Sequence, residues 1–168
     1  MPTRDRGGSD AVLDFRTMNA PLPAFGPFHT SIRVRYKDTD AAGVVYYANY
    51  LVYFEVARVE ALRAVGMPIT EVERRGVTFP AVSADCTYHR PARVDDLLDV
   101  AMWTEHVGRA SFGFAYEVRR LVNDGLPGDL VATGHTRHAV VDRDSLRPVR
   151  IEGWIAELVA RAQEWRPA

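Results

Sequence analysis

The fold is decided by the stretch Asp38-Thr39-Asp40-Ala41-Ala42-Gly43-Val44-Val45-Tyr46-Tyr47-Ala48-Asn49-Tyr50, a polar turn between two regular patterns. Before it, apolar and polar residues alternate over 30–36, which predicts a strand. After it, apolar residues recur at steps of three and four over 48–65, which predicts a helix. The turn therefore places carboxylates near a helix start, where backbone N–H groups lack intrahelical partners.

The predicted long helix is apolar on two sides. One face carries Tyr50, Leu51, Phe54, Ala57, Ala61 and Val65. The nearly opposite face carries Val52, Val56 and Val59. Because a helix with one buried face has one apolar stripe, we expect this helix to be buried on both sides.

The rest of the chain predicts a mainly antiparallel sheet. A short helix over 70–75 precedes four strand patterns, and a final helix follows over 152–164. The four strands are predicted at 77–88, 97–106, 111–121 and 130–142. Short connections, among them the turn Asn123-Asp124-Gly125, favour antiparallel pairing. Residues 1–27, rich in Gly, Pro and charge, are predicted to form an N-terminal extension, with one domain over 28–168.

Composition narrows the function classes. The chain of 168 residues has 21 basic and 22 acidic residues and a net charge of -1, which argues against a general nucleic-acid binder. No apolar leader and no apolar run of membrane-spanning length is found, so we expect a cytoplasmic protein without membrane insertion. The five histidines show neither HExxH spacing nor a cysteine pairing, and GxSxG and phosphate-loop motifs are missing. We therefore expect no metal and no cofactor.

Three motifs carry a family resemblance that runs from about His29 to Arg150. They are Asp38-x-Asp40-x-x-Gly43-Val44-Val45-Tyr46 followed by Asn49-Tyr50, then Phe54-Glu55-x-Ala57-Arg58-x-Glu60, then Arg90-Pro91-Ala92-Arg93-Val94-Asp95-Asp96. In these the chain resembles the hotdog-fold acyl-CoA thioesterases of the 4-hydroxybenzoyl-CoA thioesterase family and their tol-pal-associated relatives. The resemblance implies an α+β hotdog fold, with a curved antiparallel sheet wrapped around one long helix. It also implies a homodimer or homotetramer with active sites at the dimer interface.

The resemblance implies hydrolysis of acyl-CoA thioesters and assigns the catalytic group. Asp40 matches the catalytic carboxylate, which acts as nucleophile or as general base, and the sequence leaves both roles open. The backbone amide of Tyr47 matches the donor to the thioester carbonyl, and Gly43 supplies a backbone conformation beside it. The structural alternatives are a turn cap for Asp40 and an ordinary turn glycine for Gly43. Asp38 is expected to act as a structural cap.

Substrate-binding residues are expected around this core. Asn49 and Tyr50 are predicted to organise the helix start and line the acyl pocket, with helix capping as the alternative role of Asn49. Arg109 matches a basic loop that binds the nucleotide part of CoA in some relatives, and Arg93 lies in another loop where it could meet phosphates. The carrier is CoA or acyl carrier protein, and the acyl group stays open.

Two other function classes remain as alternatives. A non-catalytic acyl-CoA binding or sensing module would use the same fold, and saturable binding without thiol release would distinguish it. A hotdog dehydratase would need a histidine on or near the central helix. The segment 38–65 contains none, which argues against that class.

Overall fold

The computed structural model describes residues 27–122 and 125–165. Within these ranges the strands are β1 (Phe28–Arg33), β2 (Val77–Thr78), β3 (Ala81–Tyr88), β4 (Leu97–Val107), β5 (Ser111–Val122), β6 (Leu126–Ala139) and β7 (Val141–Asp142). The helices are α1 (Asn49–Ala64), α2 (Ile69–Arg74) and α3 (Gly153–Ala162). The predicted extension lies outside the described residues except for residue 27.

In the described part of the chain the main sheet has five strands in the order β1-β4-β5-β6-β3, and every neighbouring pair is antiparallel. The long helix α1 packs against β1, β4 and β3. This arrangement confirms the prediction of an antiparallel sheet with one long helix against it. No helix in the described ranges is long and apolar enough to cross a membrane.

Close packing between α1 and the sheet depends on one glycine. The ring of Phe54 is fully buried and stacks on Tyr116 with 4.3 Å between ring centroids. A Cβ at Gly134 of β6 would lie 2.5 Å from the Phe54 ring and 2.4 Å from the Asp85 carbonyl oxygen. Because neither backbone nor buried ring can yield at that distance, a side chain at Gly134 would push the helix off the sheet.

The predicted strand 30–36 is wrong at its end. The strand stops at Arg33, and Tyr36–Asp38 form one turn of 3-10 helix. Tyr36, which takes an apolar position in the predicted alternation, is 85% exposed. The turn forms because the Asp38 carboxylate accepts a hydrogen bond from the backbone N–H of Arg35 at 3.0 Å.

Two other predicted strands are each interrupted. The segment 77–88 divides into β2 and β3 around Pro80, which has no N–H to donate to a ladder. The segment 130–142 starts earlier, at Leu126, and breaks at Val140, whose N–H donates to the carbonyl of Ala110 at 2.8 Å. Of the predicted turn 123–125, the first two residues lie outside the described ranges.

Within the described residues, the expectation that α1 is buried on both sides is wrong. The inner face, formed by Tyr50, Tyr53, Phe54, Ala57 and Ala61, is buried. On the other side, Val52 is 43% and Val56 is 37% exposed, and Val59 is half-buried. The sheet covers one face of α1, and within the described residues the second stripe of valines lies at the surface.

Candidate active site

The two aspartates of the deciding turn have different environments. The carboxylate of Asp38 is buried and accepts hydrogen bonds from the guanidinium of Arg35 at 3.1 Å and from the hydroxyl of Tyr53 at 3.3 Å. Burial alone would raise the pKa of Asp38, but the hydrogen bonds from Arg35 and Tyr53 outweigh it and hold the pKa below its ordinary value. Both oxygens of Asp38 are thus engaged in shaping the turn.

Asp40, in contrast, is exposed and keeps one oxygen free. Its Oδ1 accepts a hydrogen bond of 2.8 Å from the backbone N–H of Ala42, and its own N–H donates to the Val44 carbonyl at 2.9 Å. Gly43, with φ at 74°, lets the chain reverse here and donates its N–H to the Asp40 carbonyl. Among the described residues Oδ2 of Asp40 has no hydrogen-bond partner, so it is available to a substrate.

The helix start beside Asp40 presents an unpaired donor. The N–H of Tyr46 donates to the Asp38 carbonyl at 2.9 Å, and Nδ2 of Asn49 donates to the same oxygen at 2.7 Å. The N–H of Tyr47 finds no acceptor within the part of the chain that the structure describes. Because Ala48 at the N-cap has no side chain to cap these groups, the positive end of the helix dipole stays open.

The structure brings the motif 90–96 against the same turn. The N–H of Val45 donates to the Ala92 carbonyl at 2.8 Å, and the Arg93 guanidinium reaches the Gly43 carbonyl at 3.4 Å. The Arg120 guanidinium of β5 fixes this motif, because it donates hydrogen bonds to the Pro91 carbonyl at 2.5 Å and to the Asp96 carboxylate at 3.0 Å. The turn 38–50 and the motif 90–96, fifty positions apart at the Gly43–Arg93 contact, are therefore joined into one surface.

A cleft of about 350 Å³ opens at this surface. It is lined by Asp40, Val44, Val45, Tyr47, Tyr50, Tyr88, His89, Arg90 and Pro91. Burial raises the pKa of Tyr50 to about 12, so its hydroxyl stays protonated in the neutral range. A second cavity, on the far half of α1, measures about 30 Å³ and has apolar walls apart from Arg58 and Thr104.

The structure places the predicted site residues in different positions. Asp40, Tyr47 and Tyr50 line one cleft, and Gly43 and Arg93 lie directly behind the Asp40 turn. Asn49 does not line the cleft, because its side chain turns inward to the Asp38 carbonyl.

Arg109 lies at the other end of the sheet. Tyr88 pairs with Ala132, which pairs with Val118, whereas Arg109 precedes Ser111 at the start of β5. The seven residues from Ser111 to Val118 span about 23 Å at about 3.3 Å per residue. Within one chain, therefore, Arg109 is remote from Asp40.

Tyr88 and His89 were not identified from the sequence. Both close the end of β3, and the hydroxyl of Tyr88 donates to the carbonyl of Tyr47 at 3.0 Å. The available signal was that the strand ends immediately before the motif 90–96. The alternating pattern of β3 does not show that Tyr88 at its end meets Tyr47, 41 positions earlier in the chain.

This arrangement has the parts for attack on a carbonyl. A carboxylate oxygen without a partner can attack a carbon or accept a proton from water. An unpaired backbone N–H at a helix start can donate to an oxygen on which negative charge develops. Both groups belong to residues that line one cleft.

Comparisons with known proteins agree with this chemistry. Residues 34–159 match the family model of the thioesterase-like superfamily. The chain is 32% identical over 128 residues to the 1,4-dihydroxy-2-naphthoyl-CoA hydrolase of Synechococcus elongatus, covering 73% of this chain and 90% of that protein. It is 40% identical over 73 residues to the acyl-CoA thioester hydrolase YbgC of Escherichia coli, covering 44% of this chain and 54% of that one. The crystal structure of the DHNA-CoA thioesterase of Staphylococcus aureus superposes with a TM-score of 0.72 at 27% identity, covering 80% of this chain and 89% of that chain.

Proposed function

This chain belongs to the thioesterase-like superfamily and has the hotdog fold, and on that premise we propose that it hydrolyses acyl-CoA thioesters to a free acid and CoA. The observation that carries the proposal is the free Oδ2 of Asp40 in a cleft shared with Tyr47, whose amide has no acceptor in the described part of the chain. Hydrolysis needs both groups, a carboxylate that attacks or activates water and a donor that polarises the thioester carbonyl, and this cleft has both.

The reaction follows from these two groups. The thioester carbonyl oxygen accepts a hydrogen bond from the Tyr47 amide, which stabilises the negative charge that builds on it. Oδ2 of Asp40 either attacks the carbonyl carbon or removes a proton from the attacking water. If Asp40 attacks, the carbon–sulfur bond breaks, the thiolate leaves as CoA, and water then hydrolyses the acyl–Asp40 anhydride and restores the carboxylate. If Asp40 activates water, the hydroxyl adds to the carbonyl carbon, the carbon–sulfur bond breaks, and the proton held by Asp40 passes to the thiolate of CoA. Both routes start from the same free oxygen.

Arginines near the cleft support binding of a phosphorylated carrier. Arg90 lines the cleft, and its guanidinium has no hydrogen-bond or ionic partner within the described ranges. Arg93 lies behind the neighbouring turn. A guanidinium without a carboxylate partner suits the phosphates of CoA, or the phosphate and acidic surface of an acyl carrier protein.

A homodimer through β3 would complete the site. Within the described residues β3 is an edge strand that pairs with β6 alone, and Val82 on it is 62% exposed. Such an edge is a template for pairing with a second copy. If two β3 strands pair antiparallel, the Arg109 end of one sheet lies beside the Tyr88 end of the other. Arg109 then reaches the cleft from the second copy, which accounts for its distance within one chain.

The test is thiol release by the purified protein from a panel of aromatic, short-chain and long-chain acyl-CoA thioesters. We expect saturable turnover of at least one member, and the pattern identifies the acyl class. Saturable binding of an acyl-CoA with no release of thiol would contradict hydrolysis and support the sensing module instead.

A further inference from the structure

The end of β3 is tied to the start of α1 by one hydroxyl. Oη of Tyr88 lies 3.0 Å from the carbonyl oxygen of Tyr47, although the two residues are 41 positions apart. The Tyr88 ring also packs on the buried Tyr50, with 5.3 Å between ring centroids. Tyr88 is 50% exposed, and its contact with Tyr50 orients the ring so that the hydroxyl meets the Tyr47 carbonyl.

The direction of this hydrogen bond is determined by chemistry. A carbonyl oxygen only accepts, so the Tyr88 hydroxyl is the donor. Burial and, after it, the neighbouring Cys86 raise the pKa of Tyr88 above its ordinary value. The hydroxyl therefore keeps its proton throughout the neutral range and remains a donor there.

Tyr47 is held on both sides by such contacts. The peptide before it is fixed because the Tyr46 carbonyl accepts the N–H of Asn49 at 2.9 Å. The peptide after it is fixed because its carbonyl accepts the Tyr88 hydroxyl. With both flanking peptides held, the direction of the Tyr47 N–H is set before substrate arrives. Donors to a developing oxyanion act most strongly when they are set in advance.

We propose that Tyr88 is a positioning residue: its hydroxyl holds the Tyr47 carbonyl and so, from the far side of Tyr47, limits rotation of the amide that polarises the thioester carbonyl. The inference rests on the proposed hydrolase function and adds to it a residue of the edge strand. Tyr88 acts through Tyr47 and does not itself donate to the substrate.

The test replaces the hydroxyl and keeps the ring, with the substitution Tyr88→Phe in the full-length protein. Loss of one neutral hydrogen bond that acts in the transition state predicts a fall of kcat of about fivefold, with KM and Tm near the wild-type values. Tyr36→Phe is the matched control, because the Tyr36 ring is 85% exposed and its hydroxyl has no hydrogen-bond partner among the described residues.

The split between kcat and KM separates positioning from a structural role. A Tyr88→Phe protein with unchanged kcat, or with a rate loss that follows a lowered Tm or a raised KM, overturns the inference. Asp40→Asn measured in parallel keeps the two proposals apart. If Asp40→Asn loses activity and Tyr88→Phe does not, only the role of Tyr88 fails. If the wild type releases no thiol, or if Asp40→Asn retains full activity, the proposed mechanism and this inference fail together.

Discussion

Asn49 Nδ2 donates a hydrogen bond of 2.7 Å to the backbone carbonyl of Asp38, so the first residue of α1 holds the turn that carries Asp40. The same carbonyl accepts the N–H of Tyr46 at 2.9 Å. One oxygen thus collects two donors and joins the turn, the approach to the helix and the helix itself.

Asn49→Ala tests this junction. The Asp38 carbonyl keeps the Tyr46 N–H, so no buried acceptor is orphaned, and we expect the free energy of unfolding to fall by only about 1 kcal/mol. The substitution should also loosen the turn that carries Asp40 and the Tyr47 peptide. We therefore expect kcat to fall even under conditions where the variant stays fully folded. Urea unfolding and steady-state thiol release measure the two effects. Glu55→Ala, an exposed site on the same helix, is the control, and equal losses of kcat in both variants would contradict the account.

The buried His138 makes stability depend on pH. Its ring lies between the Phe79 carbonyl at 3.2 Å and the Thr136 hydroxyl at 2.9 Å, and Thr136 Oγ1 also contacts the Tyr116 hydroxyl at 3.0 Å. Burial, and then the charge of Arg58, lower the pKa of His138 to about 4. The unfolded chain, with an ordinary histidine, binds a proton between about pH 6.5 and 4, where the folded protein does not.

Stability should therefore fall as pH drops through this window. From pH 7.5 to 5 we expect the free energy of unfolding to fall by about 2 kcal/mol through His138. His138→Gln removes the titrating group and should flatten this part of the profile, as measured by urea unfolding at a series of pH values. An equal slope in the wild type and the variant would show that other groups dominate.

Arg90→Ala tests recognition of the carrier. If its guanidinium meets a phosphate, loss of one charge-assisted contact of about 2 kcal/mol raises KM about thirtyfold, with kcat nearly unchanged. An acyl-pantetheine thioester, which lacks the nucleotide, serves as the matched substrate, and its KM should change less than twofold. A similar rise for both substrates would place Arg90 at the acyl group and contradict a phosphate role.

Val82→Lys tests the proposed dimer edge. A lysine charge would be costly to bury between two paired β3 strands, so we expect the variant to sediment as a monomer. Because the proposed site takes Arg109 from the second copy, the monomer should also lose hydrolysis. Leu126→Lys is the control, because Leu126 is 62% exposed like Val82 but lies at the start of β6. An active monomer would contradict the shared site.

The sequence predicted the helix and sheet order where a local pattern determines structure. The helical repeat predicts a helix over 48–65, and the structure has α1 at Asn49–Ala64. Tyr36 was misplaced because the Arg35–Asp38 hydrogen bonds override the alternating pattern. The second apolar stripe of α1 was detected, but a pattern cannot show whether its cover comes from the same chain.

The site was predictable to the extent that it lies in one continuous motif. Asp40, Tyr47 and Tyr50 are close in sequence and share the cleft. Tyr88 and Arg120 join the site through tertiary contacts over 41 and 29 positions, and spacing along the chain carries no trace of them. Arg109 lies far from the cleft within one chain, and its proposed role requires a second copy that the pattern of one chain cannot show.

The central claim, that the free oxygen of Asp40 performs the chemistry, is tested most directly by Asp40→Asn. Asparagine keeps the contact between its side-chain oxygen and the Ala42 N–H but offers neither a nucleophile nor a base. The measurement is thiol release from the best acyl-CoA substrate, beside Glu157→Gln on the exposed face of α3 as the control. We expect kcat/KM to fall by at least about 100-fold in Asp40→Asn and to stay at the wild-type value in the control. A folded Asp40→Asn protein within about twofold of wild type would contradict the account.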